Sequence, residues 1–117
     1  ELAGLMCHSP KLWDDLKTQP NDADPIEWPV EQARALEASA RIFWPLGNTG
    51  LIKRLGHITC PTLILRGDSD RIIPKNYIKK FCQEIQGEAV TKTIKNAGHL
   101  AELDQPYEVA KTIQSFI

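Results

Sequence analysis

The chain reads as an α/β protein, with a helical first half followed by a unit of strand, helix, strand and helix. Three observations carry this. Thr62-Leu63-Ile64-Leu65 is a continuous apolar run directly after Pro61, as expected of a parallel strand covered on both faces. Val90 to Ile94 is the second strand candidate. Between them Tyr77, Ile78, Phe81, Cys82 and Ile85 recur at helical spacing. A strand, a crossover helix and a parallel strand make a right-handed unit.

Taken in order, Ser9-Pro10 opens a short helix through Leu16, with the Ser9 side chain expected to accept an orphan amide and Pro10 at the first position. Trp13 and Leu16 give it an apolar side. The polar, proline-bounded stretch from Gln19 to Pro25 is a surface connection. A longer helix is predicted from Pro29 to about Trp44, with Val30, Ala33, Leu36, Ala40 and Phe43 on one face and Pro45 and Gly47 ending it. Leu51 to Leu55 forms a short helical piece. After the first strand, Pro74 suits the first turn of the crossover helix, and Gly87 is expected to stop it in a left-handed conformation. Pro106 opens the last helix, whose apolar stripe is Val109, Ala110, Ile113, Phe116 and Ile117. The organisation changes near residue 56, dividing the chain into a helical segment, 1–56, and an α/β segment, 57–117.

Composition limits what such a chain can do. At 117 residues there is room for one small domain. With 14 basic against 15 acidic side chains, no net field draws it to nucleic acid or to an anionic membrane. Cys7, Cys60 and Cys82 are an odd, irregularly spaced set, read as reduced, core-filling thiols in a cytoplasmic protein. No apolar run approaches the ~20 residues that span a bilayer, and the first residues show no signal-peptide pattern. His8 beside Cys7, and His57 three positions before Cys60, form no recognised ligand spacing, so no metal and no cofactor is expected.

In a parallel unit, functional groups gather at the carboxyl ends of the strands. Asp70 stands there in Gly67-Asp68-Ser69-Asp70-Arg71-Ile72-Ile73-Pro74, and His99 stands there in Asn96-Ala97-Gly98-His99. A carboxylate beside an imidazole suits nucleophilic displacement. His99 would take a proton from a nucleophile and return it, while Asp70 fixes the tautomer and stabilises the protonated ring. Gly67 would let the chain turn off its strand, and Gly98 would allow close backbone approach. Taken alone, Asp70 also reads as a turn residue capping the next helix. Trp13, Trp28 and Trp44 are read as helix-packing aromatics, with lining of a substrate pocket as the alternative, and Glu102 and Asp104 as residues that cap or solvate the final helix.

The run Cys60-Pro61-Thr62-Leu63-Ile64-Leu65-Arg66-Gly67-Asp68-Ser69-Asp70-Arg71-Ile72-Ile73-Pro74, with Ala97-Gly98-His99 and Asp104-Gln105-Pro106, resembles the C-terminal part of an α/β-hydrolase. The order of acid before histidine agrees with that fold. The resemblance implies that Asp70 is the triad acid and His99 the triad histidine. It also implies that 1–56 is a cap or lid-like segment, since Phe43-Trp44-Pro45-Leu46-Gly47 through Lys53-Arg54-Leu55 is similar to the cap and its return to the core in esterase-type and carbon–carbon hydrolases.

The family's nucleophile elbow, G-x-S-x-G, has no counterpart here. Ser69 follows a glycine at two positions, but Arg71 replaces the second glycine and the segment is the acid loop; Ser9, Ser39 and Ser115 have no flanking glycines. The expectation is therefore part of a hydrolase acting on an ester or related bond of a small-molecule substrate, with its nucleophile on a segment not in this chain. An aspartate nucleophile, as in dehalogenase and epoxide hydrolase relatives, and a non-catalytic interaction module are the alternatives. Two parallel strands are marginal alone, so self-association or pairing with the missing N-terminal half is expected.

Overall fold

A computed structural model describes residues 2–44, 47 and 50–117. Its mixed α/β order is α1 (Leu2–Met6), α2 (Pro10–Lys17), α3 (Glu27–Phe43), α4 (Leu51–Leu55), β1 (Thr62–Gly67), α5 (Lys75–Glu84), β2 (Ala89–Ile94), α6 (Ala101–Asp104) and α7 (Pro106–Gln114). Among the described residues the two strands pair in parallel, from Thr62 opposite Ala89 to Gly67 opposite Ile94. The crossover between them is α5. No described helix is long and apolar enough to cross a membrane.

Local chemistry explains where the elements start. Helix α3 begins at Glu27, ahead of the expected Pro29, because Asp24 Oδ1 accepts the amides of Ile26 at 2.7 Å and Glu27 at 2.9 Å. Pro29 then falls in the first turn, where a missing N–H costs nothing. At α2 the Ser9 side chain makes no capping bond, contrary to expectation; its backbone carbonyl accepts from Leu12, while its own amide is drawn to Asp104. Helices α1 and α6 are too short to show a period in the sequence. The predicted stop at Pro45 lies outside the described residues.

Gly87 does not adopt a left-handed stop. Helix α5 ends on Ile85 in extended conformation, and Gly87 is needed for space, since a Cβ there would come 2.6 Å from the carbonyl oxygens of Thr59 and Cys60. Pro74 is the residue before α5 and not within its first turn. Tyr77, placed on the buried side by its spacing, is half exposed and meets Phe81 edge-on, with ring centroids 6.3 Å apart. Helix α7 stops at Gln114, which leaves Ile117 outside it and open to solvent.

The core is small. Ile94, Ala97 and Ala101 are buried at its centre, with Leu65 and Val109 packed against them. Cys7 is buried as expected of a core thiol, whereas Cys60 is exposed because it sits in the turn before β1. Strand β1 is only half-buried except at Gly67, although its apolar run predicts cover on both faces. Helix α3 buries none of its residues, and Leu36, Ile42 and Phe43 are largely solvent-facing.

Candidate active site

Asp70 and His99 meet beyond the ends of β1 and β2. Asp70 follows β1 by three residues and His99 follows β2 by five, so the parallel register delivers both to one edge. His99 Nδ1 lies 3.2 Å from Asp70 Oδ2. The other carboxylate oxygen, Oδ1, accepts the amides of Ile72 at 2.8 Å and Ile73 at 2.9 Å. The turn-capping and imidazole-orienting roles thus coexist on one side chain, one oxygen to each.

The loop carrying Asp70 is held from below. Arg66, the penultimate residue of β1, donates through Nη2 to the Asp70 carbonyl at 2.9 Å and through Nε to the Ile73 carbonyl at 3.3 Å. A planar fork suits two carbonyls of one turn. The sequence showed Arg66 only as a polar residue at a strand end. Its position within an otherwise apolar run was the available signal.

The histidine loop is built differently. The chain leaves β2 and turns at Asn96, which takes a left-handed φ of 54°, a conformation asparagine tolerates better than most residues. Ala97 and Gly98 then cross the end of β1. A Cβ at Gly98 would fall 2.8 Å from the Cys7 carbonyl carbon and the His8 nitrogen, which requires glycine for close approach as expected.

Electrostatics follow from these bonds. Burial alone would raise the Asp70 carboxyl, but the Ile73 amide, the His99 ring and the Ile72 amide outweigh it and hold the group below its ordinary value. The side chain of Asp70 is 5% exposed and that of His99 31%. An ionised carboxylate only accepts, so Nδ1 carries the proton of their shared bond. Nε2 is then the nitrogen with basic character.

Beside the pair lies an open hollow of about 260 Å³, with Ile64, Leu65, Ile78 and Phe81 on its apolar walls and Asp70 and His99 on its polar one. None of the three tryptophans lines it. Trp13 lies beneath the Lys17 ammonium, 4.8 Å from ring centroid to nitrogen.

Other sequence candidates fall into place around the pair. Ser69 Oγ donates to Asp68 Oδ1 at 2.9 Å and stands 3.1 Å from His8 Nδ1. A serine whose proton is committed to a carboxylate is poorly set as a nucleophile. Its partner Asp68 is held below the ordinary value by that hydroxyl first, then by the amides of Asn96 and Ala97 and the His8 ring, against a smaller opposing effect of burial. His8 is exposed, with its ring beside the Ser69 hydroxyl. Among the described residues, no group of three or more His, Cys, Asp or Glu side chains could hold a metal ion.

Asp104 departs from its expected role at the final helix. It closes α6 and turns its carboxylate onto the backbone amides of His8, Ser9 and Gly98. Glu102 contributes to the hollow's wall. Burial, followed by the charges of Asp104 and Glu102, raises the Cys7 thiol. No family model, curated protein or solved structure matches this chain.

Proposed function

We propose that this chain is the acid- and histidine-bearing part of an α/β-hydrolase, with Asp70 and His99 serving a nucleophile that lies outside these 117 residues. The observation that carries the reading is the 3.2 Å contact from His99 Nδ1 to Asp70 Oδ2, with the second carboxylate oxygen held by two amides. An imidazole oriented in this way presents Nε2 as a general base for a hydroxyl, and the carboxylate stabilises the imidazolium that forms. The adjoining hollow is mostly apolar and suits a small acyl or alkyl group next to the reacting bond. Residues 1–56 would serve as its cap.

The test uses the full-length product of the gene and a fluorophosphonate probe alongside an activated ester. Labelling of a glycine-flanked serine, with ester turnover falling by at least 10²-fold in His99→Ala, supports the reading. An adduct on an aspartate moves it to the dehalogenase and epoxide hydrolase type, in which His99 activates water. Turnover untouched by both His99→Ala and Asp70→Asn overturns it in favour of an interaction module.

A further inference from the structure

We propose that Asp104 is a positioning residue that fastens the N-terminal segment to the loop carrying His99, so that the imidazole's placement against Asp70 depends on this second carboxylate. Oδ2 of Asp104 accepts the His8 amide at 2.7 Å and the Gly98 amide at 2.8 Å, and Oδ1 accepts the Ser9 amide at 2.9 Å. Those donors come from two stretches of chain about ninety residues apart. One of them, Gly98, is covalently next to His99.

A backbone bond stands beside this carboxylate at the junction. The Leu100 amide bonds the Met6 carbonyl at 2.8 Å, so the histidine is bracketed on both sides by residues tied to the N-terminal segment. The fit is close, because a Cβ at Gly98 would already strike the Cys7 and His8 backbone. Amide hydrogen bonds to an ionised carboxylate are shorter and stronger than neutral ones, and three of them on one side chain form a rigid junction. Asparagine cannot replace it. Its NH₂ would face at least one backbone N–H, turning an attraction into an opposed pair of donors.

The consequence lies in the imidazole. If the junction sets the course of Ala97-Gly98-His99, loosening it moves Nδ1 away from Asp70 and frees the ring to exchange tautomers. The inference rests on the reading of His99 as the site's base, but the test needs no turnover: ring-nitrogen and amide chemical shifts are recorded on the ¹⁵N-labelled chain above the histidine titration range. A failed ester assay and a failed tautomer test are thus separate results.

In the native chain we expect the Nδ1–H form of His99 to dominate and the Gly98 amide to resonate downfield. In Asp104→Asn the Gly98 amide should move upfield and the His99 signals toward the tautomer mixture expected of Asp70→Asn. Asp104→Glu keeps the charge and should restore part of both shifts. A folded Asp104→Asn chain that keeps the Nδ1–H form would overturn the proposal. Should Asp104→Asn not fold, Asp104→Glu decides: Gly98 and His99 shifting together supports it, and Gly98 shifting with His99 unmoved overturns it.

Discussion

Gly67 and Gly98 touch backbone to backbone: a Cβ on Gly67 would lie 2.1 Å from the Gly98 carbonyl oxygen. The end of β1 and the histidine loop can therefore cross only if residue 67 has no side chain. Its φ is not left-handed, so space and not turning freedom is the requirement. Gly67→Ala should destabilise the chain by roughly 3 kcal/mol, at the upper end of ordinary overpacking costs, because the atoms it meets are backbone. Urea unfolding would show the loss, and NMR should show the His99 ring displaced from Asp70. An unchanged midpoint would contradict the contact.

Much of this was legible because short-range rules governed it. The apolar run after Pro61, the crossover helix and the strand candidate from Val90 to Ile94 led to two parallel strands, and from them to Asp70 and His99 at one edge. The rest was set by contacts distant in sequence. Asp104 reads as a helix-end acid until the chain folds His8 and Ser9 onto it, and Gly87 reads as a helix stop until Thr59 and Cys60 pass beside it. Burial was the least legible property. The stripe of α3 has the period of a packed helix, yet its large apolar residues face solvent, since periodicity records a tendency to pack and not the presence of a partner.

Asp24 sets the start of α3, although the sequence placed it in a connection. Replacing it by alanine leaves the Ile26 and Glu27 amides without their acceptor. Asp24→Ala should speed hydrogen exchange at those two amides while leaving β1 and β2 unaffected. Equal exchange in both chains would refute this role of Asp24.

Acid should loosen the site. Asp70 and Asp104 both titrate below the carboxylate reference value of 3.8: burial raises each, but the backbone amides they accept, with the His99 ring on Asp70 and the His8 ring on Asp104, prevail. A carboxylate depressed in the folded state binds fewer protons there than in the unfolded chain. Its stabilisation is complete well above 3.8 and is lost as the pH falls through that value toward the folded-state one. The melting temperature should therefore drop below about pH 4, and Asp104→Asn should flatten the drop. A melting temperature independent of pH between 5 and about 2 would exclude this linkage.

The exposed surface offers two places for self-association. Ile42 is 79% exposed, Leu36 72% and Phe43 69%, all on α3, and β1 has no strand on its outer side among the described residues. An open strand edge and an unburied apolar helix are both strong templates for another chain. A second copy can cover them, so the isolated 117-residue chain should sediment as a dimer or larger at micromolar concentration. Leu36→Glu with Phe43→Glu should shift it toward monomer if the helix drives association, and leave it assembled if the β1 edge does. On the proposed function, adding the segment that carries the nucleophile should displace an association through the β1 edge and leave a helix-driven one in place. A well-folded monomer at every accessible concentration would mean that the two-stranded sheet and its small core suffice alone.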